Sequence, residues 1–189
     1  MSNFTVLYDA CVLYPAPLRD LLMHVAVTDL YRAKWTEAIH DEWIRNVLKD
    51  RPDLKPEQLL RTRDLMNAHV RDCLVTGYKT LIDAITLPDP NDRHVLAAAI
   101  SAGADLIVTF SLRDFPEENL KPFGIEAQHP DDFLMFQLDL APNIVCAAAK
   151  RHRARLRNPP KDVEEYLATL EAQGLAQRVS SLRRFAELL

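Results

Sequence analysis

The 189-residue chain predicts an α/β fold, a parallel sheet flanked by helices, with an α-helical C-terminal extension. Two observations carry this expectation. Before Pro130, β-prone runs alternate with helical patterns, and the connections are long enough for crossovers between parallel strands. From Pro130 onward only helical periodicity remains. The expected division is a globular α/β domain over 1–136 and a helical extension over 137–189.

Phe4 to Tyr8 is a short β-prone run ending in Asp9, and Pro15 and Pro17 punctuate the chain before an apolar helical pattern from Leu18 to Tyr31. Thr36 is placed as the N-cap of a helix whose stripe is Ile39, Trp43 and Val47, with Glu42 beside it. A further helix is predicted from Pro56 to Cys73, since proline is tolerated in a first turn. After Gly77, Leu81 to Leu87 is apolar and β-branched enough to predict a strand closing at Pro88. The next helix, Asn91 to Ala102, stops at Gly103, where a left-handed residue is wanted. Asp105 to Phe110 is the clearest strand, and a last short strand is expected near Ile125. Helices are then expected at about Asp131–Leu138, Pro142–Leu156, Val163–Ala172 and Leu175–Leu188, with a break at Asn158-Pro159-Pro160.

A hydrophobic content of 48% with 26% charged residues is that of a folded globular chain rather than a disordered one. The net charge of -4 argues against whole-molecule attraction to a phosphate backbone, so any nucleic-acid binding must be local or bridged by cations. Cys11, Cys73 and Cys146 share no motif spacing and read as reduced thiols. The opening string has no basic segment followed by a long apolar one, and no apolar run is long enough to span a bilayer, so a cytoplasmic protein without membrane attachment is expected.

Four acids are placed near one sheet edge. Asp9 ends the first strand, Asp92 lies in the first turn of the helix after Pro88, Asp114 follows the strand ending at Phe110, and Glu42 comes from a helix. Asp92, Val95, Leu96 and Ala99 share a helical face, so the apolar members dock the helix while holding Asp92 at the sheet's mouth. Taken singly, Asp9 reads as a cap, Asp92 as a helix-dipole partner, Asp114 as an Asx-turn residue and Glu42 as a solvated helix residue. Taken together, gathered carboxylates raise one another's pKa unless a divalent cation neutralises them. Hard oxygen donors without a His or Cys set favour Mg²⁺ or Mn²⁺ over zinc.

The strings YDACVLYP and LPDPNDRHVLAAAISAGADLIVTFSLRDFP, with Glu42 in a Thr-initiated helix between them, closely resemble the PIN domain, particularly the branch of bacterial VapC-type toxins. The resemblance covers Phe4 to Phe136. It implies that Asp9, Glu42, Asp92 and Asp114 form the acidic site, with Ser111 as a supporting polar residue, where family members often carry Asn, and Asp89 as an extra acid. It also implies Mg²⁺- or Mn²⁺-dependent cleavage of RNA, a small antitoxin protein as partner, and a homodimer as an open expectation.

Arg19 and Arg93 flank the acids in sequence and are candidates for substrate phosphates. A basic run, Lys150, Arg151, Arg153, Arg155 and Arg157, pairs Arg151 with Arg155 at helical spacing and is either an RNA-backbone contact or a solvated helix face. His94 is expected to face solvent or to pack. Two rival functions remain. A phosphatase or phosphoacceptor with nucleophilic Asp9 lacks the second acid such chemistry wants, since Cys11 occupies that position. A non-catalytic module would use the acidic pocket and the extension only for binding.

Overall fold

The computed structural model describes residues 4–157 and 159–188, so Asn158 of the expected break lies outside the described residues. In chain order the helices and strands are β1 (Thr5–Tyr8), α1 (Ala10–Leu13), α2 (Ala16–Ala26), β2 (Arg32–Lys34), α3 (Glu37–Asp50), α4 (Pro56–His69), α5 (Arg93–Ala102), β3 (Leu106–Val108), α6 (Glu117–Leu120), β4 (Glu126–Gln128), α7 (Pro130–Leu140), α8 (Pro142–Arg155), α9 (Val163–Glu171) and α10 (Ala176–Arg183). The four strands form one parallel sheet in the order β2-β1-β3-β4. Val6 sits opposite both Ala33 and Leu106. The central strands β1 and β3 are buried along their whole length, as strands covered on both faces must be.

Local signals fix several boundaries. The Thr36 side chain accepts from the Ile39 N–H at 3.0 Å and starts α3, whose buried stripe is Ile39, Trp43 and Val47. Gly103 ends α5 at a φ of 58°, a conformation glycine reaches without steric cost. Helix α2 stops at Ala26 rather than near Tyr31, because Asp29 turns left-handed at φ 60° and breaks the ladder.

Two elements differ from expectation. Residues Leu81 to Leu87 form no strand; a 3₁₀ turn runs from Tyr78 to Ala84 and packs against α5. Leu81, Ile82 and Ile85 fall on a helical rather than an alternating period, and that spacing decides which face is buried. The strand β2 is not among the expected elements, since Arg32-Ala33-Lys34 is short, polar and at the sheet's edge. Just beyond it, Trp35 continues the edge by bridging Leu74, donating to the Cys73 carbonyl and accepting from the Val75 N–H, both at 2.9 Å.

The extension is built into the core. Phe133 of α7 is fully buried and meets Tyr31 edge-on at 5.0 Å between ring centroids, while Tyr8 stacks on Trp35. Helix α7 runs unbroken through 136/137. Helix α8 packs on α2, where His24 and His152 approach with ring centroids 5.2 Å apart, and His152 is hydrogen-bonded through Nδ1 to the Tyr166 hydroxyl of α9. Asp131 of α7 accepts from the Gln177 N–H of α10 at 2.9 Å. Among the described residues Cys11 and Cys73 are free thiols, and no helix is long and apolar enough to cross a membrane.

Candidate active site

Asp9 stands where β1 ends, and its burial demands that its lone pairs find donors. It caps α1: Oδ1 accepts from the Ala10 N–H at 2.6 Å, and Oδ2 accepts from the Thr109 hydroxyl at 2.7 Å and the Cys11 thiol at 3.0 Å. Thr109 is fully buried at the end of β3 and also accepts from the Ser111 N–H at 2.9 Å. Cys11 Sγ in turn accepts from the Phe110 N–H at 3.2 Å. The carboxyl ends of β1 and β3 are thus tied together by one polar network, in the place where open α/β sheets bind ligands.

The other acids arrive from three directions. Asp92 closes the 3₁₀ turn Pro90–Asp92 and precedes the first residue of α5; Asp89 opens that turn by accepting from the Asn91 N–H at 2.8 Å. Asp114 ends a one-turn 3₁₀ segment that begins after Ser111. Glu42 lies on α3, half-buried, with Oε2 3.4 Å from His94 Nε2. Burial and then the charges of Asp9, Asp89, Asp114 and Glu42 push the Asp92 carboxyl up to about 7. Asp9 is likewise raised, chiefly by burial, against which the Cys11 and Thr109 hydrogen bonds act, while Glu42 raises it further. The structure therefore brings Asp9, Glu42, Asp89 and Asp114 within electrostatic reach of Asp92, and Glu42 within reach of Asp9.

Among the described residues, no three His, Cys, Asp or Glu side chains are arranged to hold a metal ion as they stand. The donor chemistry nonetheless fits a hard divalent cation. The converging groups are carboxylates, and the mutual repulsion that raises Asp92 is what a cation relieves. Side-chain rotation toward a shared ion is what this set requires.

Two residues that no sequence motif singled out are central here. Thr109 and Cys11 hold Asp9, and the signal for both is position alone: a hydroxyl at the end of the clearest strand, and a thiol two residues after the acid. His94, expected to face solvent or pack, is half-buried and meets Glu42; among the described residues its buried Nδ1 has no hydrogen-bond partner.

The basic candidates divide. Arg19 is not placed to meet a phosphate: it is 6% exposed, donates to the Leu13 carbonyl at 2.9 Å and lies over the Trp43 ring at 4.6 Å. Its apolar stem and flat guanidinium suit an aromatic wall, so it serves packing. Arg93 is half-buried, and its enclosed Nε has no hydrogen-bond partner among the described residues. Arg151 and Arg155 are exposed on α8, and both act electrostatically on His24 of α2.

The chain matches the PIN-domain profile over residues 5–113 and belongs to the PIN-domain family. Residues 130–184 match the profile of the VapC50 C-terminal domain. Over 64 residues the chain is 55% identical to a protein of Mycobacterium tuberculosis (strain ATCC 25618 / H37Rv) named "Putative ribonuclease VapC50"; that stretch is 34% of this chain and 37% of the relative's length. No solved structure matches the chain significantly.

Proposed function

We propose that the protein is a metal-dependent endoribonuclease, the toxin of a toxin-antitoxin pair acting in the cytoplasm, with RNA as substrate and a small antitoxin protein as its partner. The observation that carries the reading is the convergence of Asp9, Glu42, Asp92 and Asp114 from four separate segments on one sheet edge. The PIN-domain and VapC50 C-terminal matches support the reaction class.

In this reading the four acids would hold Mg²⁺ or Mn²⁺, with Asp89 and Ser111 in support. Bound there, such an ion offsets the carboxylates' repulsion, acidifies water and stabilises negative charge on a phosphodiester. The chain's own contribution is placement. Thr109, Cys11 and the Ala10 N–H hold the Asp9 carboxylate in one orientation, and α5 carries Asp92 to the sheet's mouth on a face anchored by Val95, Leu96 and Ala99, all fully buried. The overall step adds water across one P–O ester bond, leaving a phosphomonoester on one fragment and a hydroxyl on the other.

The test is cleavage of structured RNAs with Mg²⁺ or Mn²⁺, in wild type and in Asp9→Asn and Asp92→Asn. Loss of cleavage in both folded variants is expected; undiminished cleavage in both removes the mechanism. Growth arrest on expression, relieved by a short neighbouring reading frame, is expected of a toxin, and harmless expression of active enzyme counts against that role.

A further inference from the structure

A cavity of about 330 Å³ opens directly beside the acidic centre, lined by Cys11, Tyr14, Glu42, Asn46, Lys49 and Asp50. Glu42, Asn46 and Lys49 follow one another at four- and three-residue steps on α3, so they share a face and span about 10 Å along the helix axis. One end of the cavity thus belongs to the acids and the other runs out along the helix. Tyr14, from the turn after α1, also lines the cavity, its hydroxyl donating to Asp50 Oδ2 at the end of α3 at 2.7 Å.

The lining decides what enters. Two carboxylates face one ammonium, so a phosphate is repelled from the interior, whereas a neutral planar group with a polar edge is not. Asn46 is exposed, and its amide, able both to donate and to accept, forms no side-chain hydrogen bond among the described residues. Lys49 lies at the far end and pairs with no carboxylate among the described residues.

We propose that this cavity is a nucleobase subsite, which takes one unstacked base of single-stranded RNA next to the phosphodiester at the acidic centre. Tyr14 supplies the aromatic wall, Asn46 reads the base edge, and Lys49 meets the following phosphate outside. The inference rests on the ribonuclease reading and adds a determinant of sequence preference to it.

The experiment compares single-stranded oligoribonucleotides that differ in one base beside the cleaved bond, using wild type, Asn46→Ala, Tyr14→Ala and Lys49→Ala. Neither Asn46 nor Lys49 is buried, and both lie on a helix, so their replacement by alanine preserves the fold. Asn46→Ala is expected to flatten the base preference at that position by about tenfold, and Tyr14→Ala to raise KM for every base. Lys49→Ala is expected to weaken RNA binding equally for all sequences, read by anisotropy in an Asp9→Asn background, and to lower the salt slope by about one. Wild-type cleavage with unchanged preference and KM in all three variants overturns the subsite while leaving the nuclease standing. A wild type that neither binds nor cleaves any RNA overturns both.

Discussion

Replacing Asp92 by asparagine tests the electrostatics of the site without any substrate. The Asp92 carboxyl is pushed up to about 7 in the folded protein, against about 3.9 when the chain is unfolded. That gap corresponds to about 4 kcal/mol at full effect, and because the side chain is only half-buried, water screening reduces it to about 1–2 kcal/mol. The sign follows from proton counting. Between about pH 4 and 7 the folded protein keeps a proton on Asp92 that the unfolded chain releases, so this group's contribution to stability is fully present below pH 4 and is lost as pH rises to 7. The amide that replaces the carboxyl cannot ionise, and because Asp92 makes no side-chain cap hydrogen bond, none is lost. In EDTA at pH 7.5 the Asp92→Asn variant should therefore be about 1–2 kcal/mol more stable, about 2–8 °C in Tm by thermal circular dichroism, and its advantage over wild type should shrink as pH falls from 7 to 4. Added Mn²⁺ or Mg²⁺ should raise the wild-type Tm, by about 2.7 kcal/mol at a hundred times Kd, and leave the variant unmoved. A variant equal to or less stable than wild type in EDTA would refute the reasoning.

Thr109→Val keeps the shape of a fully buried side chain but leaves Asp9 and the Ser111 N–H each one partner short; a loss of about 1–3 kcal/mol and a cleavage profile displaced to higher pH are expected from chemical denaturation and a pH-rate series. Unchanged values in both would show that Asp9 does not depend on this hydroxyl. Arg19→Ala should destabilise by about 1–3 kcal/mol while RNA affinity at matched folded fraction stays level, so a selective loss of affinity would restore the phosphate role. His152 is held neutral, its pKa lowered to about 4 by burial and then by His24, so the unfolded chain takes up a proton first as pH falls. About 3 kcal/mol should be lost between pH 6.5 and 4, and His152→Phe should remove much of that acid limb in melts at pH 5 and 7.

The α/β plan and the acids were legible because both leave marks in local sequence. Buried parallel strands must be continuous apolar runs, as in β1 and β3, and α3 and α5 carry their own start and stop signals in Thr36 and Gly103. What escaped was set by tertiary context. Arg32-Ala33-Lys34 becomes a strand only because β1 offers it a hydrogen-bonding edge, and Leu81 to Ala84 becomes a 3₁₀ turn because α5 needs a cover. Arg19 reads as a surface cation in sequence; only Trp43, on a different helix, turns it into a packing residue. The meeting of His94 with Glu42 likewise joins two helices whose approach no spacing announces.

Phe133 places the first tail helix against Tyr31 and Tyr8, and Tyr8 is the residue immediately before Asp9. A chain cut at position 136 keeps Phe133 but breaks α7 and strips α8 and α9 from α2 and α10 from α7, exposing hydrophobic surface that is buried in the full chain. Tail and sheet must then fold and persist as one object, and grafting a tail that begins at Pro130 onto another domain succeeds only if the recipient presents a matching aromatic socket for Phe133.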